Sequence, residues 1–448
     1  MADAKPFHWE YEPPRVLHER FLVTGGKPLD GTVRVSGAKN SALKMLAAAT
    51  LTGERCRFSN VPEIEDVRAM ADTLTDLGVV VDHPEPNVYE VSAGDLDWKF
   101  VPLEAAAKMR ASFMLLGPIL SRFGEVVISN PGGDRIGRRP VDLHVDAMRA
   151  MGADIEYRYG YYYAKSNGRL RGAEIRFPIV SVMGTENAML AATLADGHTV
   201  IRPAAQEPEV DDLIAFLQKM GAQVERTYGD TIEIEGKRRL RGAAHHVMPD
   251  RIEAGTFAIA AGVTGGHVIL EGADCDTMDA LVQVLGNAGL AVSCSPGRME
   301  VDARALGPGG LKPVDVVTGP YPELATDIQP PTTVMLTQAK GASTVHEAIF
   351  EDRLEWTGEL AKMGAKIQLK GPQRAVIHGP ARLHAASVEI SDLRAGASLI
   401  LAALAADGTS SIGGAHHVRR GYENIERKFL DLGARIERVQ EKELDTSA

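Results

Sequence analysis

MRAMGADIEY, residues 148–157, reads as the end of a helix, a glycine and the start of a strand. Met, Arg and Ala favour a helix. Gly152 is expected to take the left-handed conformation that ends a helix without a Cβ clash. The residues after it alternate between apolar and polar, which suits a half-buried strand. The same phrase returns as LTDLGVVV at Gly78, LQKMGAQVER at Gly221, LGNAGLAVS at Gly289, LAKMGAKIQL at Gly364 and LDLGARIER at Gly433. From Gly78 to Gly433 the six glycines are spaced 74, 69, 68, 75 and 69 residues apart, the period of an internal repeat.

A second phrase is interleaved with the first. Small apolar residues precede a glycine and then a β-branched stretch. It reads LAAATLTGERCRF around Gly53, LGPILSRFGEVVI around Gly124 and LAATLADGHTVI around Gly197. It continues as IAAGVTGGHVIL around Gly266, LTQAKGASTV around Gly341 and LAALAADGTSSI around Gly408. Each unit of about 70 residues therefore carries two helices and several strands, giving an α/β chain (α+β in the wider sense). Three units make a domain-sized block. The boundary falls near Pro249, which divides the chain into 39–248 and 249–440. The stretch 20–38 (RFLVTGG…GTVRVS) reads as strand and is assigned to the second block, and 1–19 is an N-terminal extension.

The chain has 448 residues and a net charge of −11. That charge argues against nucleic acid or a membrane surface as the partner, since both require a broad basic face. Local arginines can still hold a small anion. Three cysteines, Cys56, Cys275 and Cys294, have no CxxC spacing. An odd count without metal spacing predicts neither a disulfide framework nor a zinc site, and points to a reducing, cytoplasmic setting. No basic-then-apolar leader opens the sequence.

Charged residues gather where strands hand over to helices. SGAKNSALK (36–44) places Lys39 and Asn40 at a helix start, a favoured place for an anion. NPGGDRIGRRPVDLH (130–144) is a Gly/Pro loop that surrounds Asp134 with Arg135, Arg138 and Arg139. Guanidinium forks match phosphate and carboxylate, and Asp134 is the candidate acid or base inside the loop. KMRASF brings Arg110 to another helix start. In YPELATDIQPP, Asp327 is either an N-cap or a general base. In EISDLRAGAS, Arg394 sits in a first helical turn, which is unfavourable without an anionic partner. Arg419 and Arg420 precede the last helix.

In this order the motifs GAKN, MRAS, the PGG-x-x-IG-x-RPVDLH loop, ATD-x-Q, FE-x-R, DLRA and RGYE resemble the UDP-N-acetylglucosamine enolpyruvyl transferase family. The similarity runs from about Phe21 to Val439. It implies two inside-out α/β barrels, each of three repeated βαβαββ-type units, with the active site in the cleft between them. It implies transfer of the enolpyruvyl group of phosphoenolpyruvate to UDP-N-acetylglucosamine through a tetrahedral phospho-ketal, and a product that feeds peptidoglycan synthesis. No cofactor, metal or obligate protein partner is implied.

Carried over by motif, Lys39, Asn40, Arg110, Arg139 and Arg420 resemble the phosphoenolpyruvate contacts. Asp134, Asp327, Lys39 and Arg394 resemble the catalytic group. The acceptor contacts resemble Asn40, Arg110, Arg139, Pro140, Val141, Asp142, Leu143, His144, Ser181, Val182, Asp327, Ile349, Phe350 and Arg353. Several positions depart from the family pattern. Asp134 stands where a catalytic cysteine is usual, so a carboxyl must deliver the proton, and alkylation by epoxide antibiotics of the fosfomycin type is not expected. Ile179 and Met183 replace a common Lys and Gly beside the diphosphate, Ala325 replaces Phe, and Arg419 replaces Asp. These changes leave UMP or another uridine compound as an alternative acceptor, and a non-catalytic UDP-sugar binder as a further one. The shikimate 3-phosphate enzyme of the same fold opens with Gly-Asp-Lys-Ser, which is absent here. RNA 3′-phosphate cyclases share the repeat but require a basic groove.

Overall fold

Gly78, Gly152, Gly221, Gly289, Gly364 and Gly433 all have φ between 84° and 97°. Each ends a helix in the left-handed conformation that the sequence required. The structure, a computed structural model, describes residues 19–96, 99–307 and 309–440. Of the expected extension at 1–19, residues 1–18 lie outside them, and Glu19 instead opens the first strand.

Six four-stranded sheets repeat one topology. In each, the first two strands are parallel and the remaining pairs antiparallel. The set Glu174–Arg176, His198–Arg202, Ile232–Glu235 and Gln223–Arg226 is typical. The sheets are open and none closes into a barrel among the described residues. The segment around 20–35 pairs with later strands. Glu19–Thr24 lies between Thr409–Gly413 and Arg435–Gln440, and Asp30–Arg34 runs parallel to His267–Glu271.

Behind the sheets, six helices, four of them rich in alanine, are buried on nearly every face. They are Lys39–Ala48, Leu116–Phe123, Val182–Ala192, Arg251–Thr264, Gln329–Leu336 and Leu393–Ala405. A helix apolar all round must be interior. The intervening helices, such as Glu65–Asp76 and Pro208–Lys219, are amphipathic and lie outside. Two apolar cores result. One is built from residues between Ala42 and Val247. The other takes Phe21–Val35 together with residues from Ile252 to Ile436.

The chain passes between the cores at two adjacent segments. Gly37 bridges Pro249, Ala38 N–H donates to Met248 O at 2.7 Å, and Asp250 N–H donates to Ser36 O at 2.8 Å. Gly37 is obligatory here, because a Cβ would stand 1.6 Å from the Asn60 carbonyl oxygen.

The cysteine expectation is corrected. Cys275 and Cys294 form a disulfide, with Cα atoms 6.2 Å apart, and only Cys56 is free and buried. Cys275 lies in the turn after the His267–Glu271 strand, and Cys294 lies in a strand of the same sheet. Parity of the count could not show that two of the three are spatial neighbours. Among the described residues no helix is long and apolar enough to cross a membrane.

Candidate active site

The six interior helices, or the turns leading into them, start at one cavity of about 540 Å³ between the two cores. Lys39 and Asn40, Arg110, Ser181 and Val182, Arg251, Asp327, and Leu393 and Arg394 line it from those starts. Helix N-termini present unpaired N–H groups and the positive end of the macrodipole, so their convergence suits an anion.

Lys39 is buried, and its Nζ lies 2.7 Å from Asp66 Oδ2. Its backbone N–H donates to Asp250 Oδ2 at 3.1 Å. Asn40 lies inside the helix, whose N-cap is Ala38, so it is not a capping residue. Arg420, from the other half, reaches Asp66 at 3.0 Å and Asp134 at 2.5 Å. A chain Lys39–Asp66–Arg420–Asp134 therefore crosses the cleft. Burial opposes ionisation of Asp66, but Lys39 and Arg420 outweigh it and hold the carboxyl below its usual range.

Asp327 is not an N-cap. Its two oxygens accept from Arg353 and Arg394, each at 3.1 Å. Burial works against its charge, yet Arg394, Arg353 and Lys39 hold it far below the ordinary carboxylate range. Asp327 is thus the anionic partner that Arg394 required in its first turn. Asp392 caps that helix, accepting from the N–H groups of Arg394 and Ala395. Arg394 Nη1 and Arg353 Nε are buried and find no hydrogen-bond partner among the described residues.

The 130–144 loop docks against the opposite half. Arg138 N–H donates to Glu351 Oε2 at 3.1 Å, and Asp352 N–H donates to Ile136 O at 3.3 Å. Arg139 lies over the Phe350 ring at 5.5 Å. Glu347 accepts from the N–H groups of Ile349 and Phe350 and fixes their loop. Arg110 donates to Pro140 O. Burial, then the nearby Arg139, lowers Arg110 to about 10. Neither guanidinium has a carboxylate at ion-pair distance among the described residues.

His144 is buried, with Nδ1 2.9 Å from Asn187 Nδ2. Burial, then Arg110, depresses it to about 3, so the ring is neutral at physiological pH. Ser181 caps its helix by accepting from Gly184 N–H.

Pro140, Asp142, Leu143, His144, Ser181, Val182, Ile349, Phe350 and Arg353 all line the cavity. Val141 does not. It is buried and borders a neighbouring hollow of about 480 Å³, which Arg110, Arg139, Pro140 and Asp142 of the main cavity also line. Arg420 stands behind Asp134 and is absent from the lining. Arg419 pairs with Glu19 and Glu65, away from the cleft. The sequence reading missed Asp66, Asp250 and Glu347. Asp66 resembled an ordinary acid in a helix first turn. The surplus of arginines without local partners was the signal that such carboxylates existed.

This fold and cleft are those of an enolpyruvyl transferase: the chain belongs to the EPSP synthase (3-phosphoshikimate 1-carboxyvinyltransferase) family, whose family model matches residues 23–429. The relatives named UDP-N-acetylglucosamine 1-carboxyvinyltransferase are the more similar in sequence. One from Paramagnetospirillum magneticum is 43% identical, over 94% of this chain and 99% of its own length. One from Hyphomonas neptunium is 44% identical, over 94% and 98%. Among solved structures, the enolpyruvyl transferase NikO from Streptomyces tendae superposes with a TM-score of 0.85 at 22% identity, covering 95% of this chain and all of that one. EPSP synthase from Acinetobacter baumannii gives 0.71 at 18%. At those identities the likeness concerns the fold.

Proposed function

We propose that this chain transfers the enolpyruvyl group of phosphoenolpyruvate to the 3-hydroxyl of UDP-N-acetylglucosamine and releases phosphate. The carrying observation is the convergence of Lys39, Asp134 and Arg139, distant in sequence, with the Asp327–Arg353–Arg394 cluster on one cavity, and the ion pair of Arg420 to Asp134 at its wall. Lys39, Arg139 and Arg420 hold the phosphate of the donor, and Arg110 and Arg394 complete the anion pocket. Asn40 and Asp327 face the acceptor sugar. The 140–144 run, Ser181, Val182, Ile349, Phe350 and Arg353 form the remainder of the acceptor site.

In the addition step, Asp134 in its acid form delivers a proton to the methylene carbon. The acceptor oxygen bonds to C2, and Asp327 takes the hydroxyl proton. In the elimination step, Asp134, now a carboxylate, takes a proton from the methyl group, the double bond re-forms, and the C2–O bond to phosphate breaks with its electron pair leaving on the phosphate. The cations stabilise the departing phosphate. The names of the relatives at 43–44% identity support this acceptor over UMP. A cytoplasmic setting and service in peptidoglycan precursor synthesis accompany this reading.

The test is phosphate release from phosphoenolpyruvate with UDP-N-acetylglucosamine or UMP as acceptor. Turnover with the sugar nucleotide is expected. Turnover with UMP alone would overturn the acceptor, and none with either would leave only binding.

A further inference from the structure

The cavity wall at 178–183 (Pro-Ile-Val-Ser-Val-Met) has no charged side chain, and Ile179 is 66% exposed at its rim. A diphosphate resting there requires a cation from elsewhere. Arg139 is stacked on Phe350, and Arg110 is turned toward Pro140.

Lys44 lines the same cavity, one helical turn after Asn40. Its Nζ donates to the Asn40 carbonyl at 2.7 Å and lies 3.3 Å from Glu186 Oε2. Glu186 in turn lies one turn after Val182 on the Val182–Ala192 helix. Residues four apart share a helix face. Asn40 and Val182 therefore form an upper layer and Lys44 and Glu186 a layer beneath it. Glu186 is fully buried, and neither oxygen finds a hydrogen bond among the described residues. Burial pushes its carboxyl up to about 7 against the pull of Lys44, and Glu209 and Glu207 add to the effect. Arg251, the other cation nearby, is held by Glu209 at 3.0 Å. Lys44 is thus a cavity cation with a weak counter-charge, on a flexible stem able to reach upward.

We propose that Lys44 is an acceptor-binding, specificity-determining residue. Its ammonium supplies the diphosphate with the positive charge that the 178–183 wall lacks. This rests on the enolpyruvyl transfer reading above.

The test uses Lys44→Met, and Lys44→Met combined with Glu186→Gln so that no lone charge remains buried. In both, the KM for UDP-N-acetylglucosamine is expected to rise about tenfold, while the KM for phosphoenolpyruvate moves less than about twofold. By calorimetry, UDP binding weakens and uridine binding does not. In the unaltered chain, acceptor affinity falls as pH rises through about 7, where Glu186 ionises. Glu186→Gln removes that fall. An unchanged acceptor KM in the folded double variant, or equal weakening of UDP and uridine, overturns the proposal. The UDP–uridine comparison reads Lys44 even without turnover, so its failure is distinct from failure of the enolpyruvyl transfer reading.

Discussion

The cations of the cleft fall into two sets, called sides below, that handle charge in opposite ways, and the first set draws on both halves of the chain. On one side, Lys39 and Arg420 share Asp66, Arg420 also meets Asp134, and Arg353 and Arg394 share Asp327. On the other, Arg110 and Arg139 have no carboxylate at ion-pair distance among the described residues, and the adjoining wall is apolar apart from Ser181. The first side is held in place by its own ion pairs before any ligand arrives. The second has no ion pair of its own among the described residues, and Asp134 and Asp327 act on Arg139 only from beyond ion-pair distance. Changes on the first side should therefore strike turnover and stability, and changes on the second should strike binding.

The largest expected effect is on Asp134. Asp134→Asn should lower kcat by about 10²–10⁴-fold, while Asp134→Cys keeps part of the activity. Full activity in the Asn variant would remove Asp134 from the mechanism. The same pair sharpens the chemistry: the unaltered chain should show no time-dependent inactivation by fosfomycin, and the Cys variant should acquire it.

Next comes Asp327→Ala, which strands two buried guanidiniums and should cost about 3 kcal/mol of stability besides turnover. A thermal unfolding scan with no change would break the contrast between the two sides. Arg110→Gln should raise the acceptor KM about tenfold and leave the melting temperature nearly unchanged, since no ion pair is lost. A large drop in melting temperature would show that this side is also self-held.

The smallest effects are slopes of stability with pH. His144, depressed to about 3, binds fewer protons folded than unfolded. Its contribution is lost as pH falls below the ordinary histidine range toward about 3. Glu186, raised to about 7 from 4.5, has the opposite sign, and its contribution is lost as pH rises through that window. Denaturant melts of His144→Gln and Glu186→Gln should flatten the acid and neutral limbs respectively.

Much of the fold was legible because its markers are local. A left-handed glycine and an Ala-rich run each announce themselves within about ten residues. The helix-start cations Lys39, Arg110 and Arg394 were legible for the same reason. Their partners were not. Asp66 meets Arg420 across 354 residues, and Asp327 meets Arg353 and Arg394 across 26 and 67, and no periodicity encodes such distances. The Cys275–Cys294 pair was missed because counting cysteines carries no information about sheet neighbours.

Asp66 has one further consequence. Its carboxylate pairs with two of the cations proposed for the donor phosphate, one from each half. An arriving phosphate must exchange with a resident anion. The affinity measured for phosphoenolpyruvate is then a difference between two anions competing for the same grip. Neutralising Asp66 would make the donor adhere more tightly and leave the halves less firmly joined when nothing is bound.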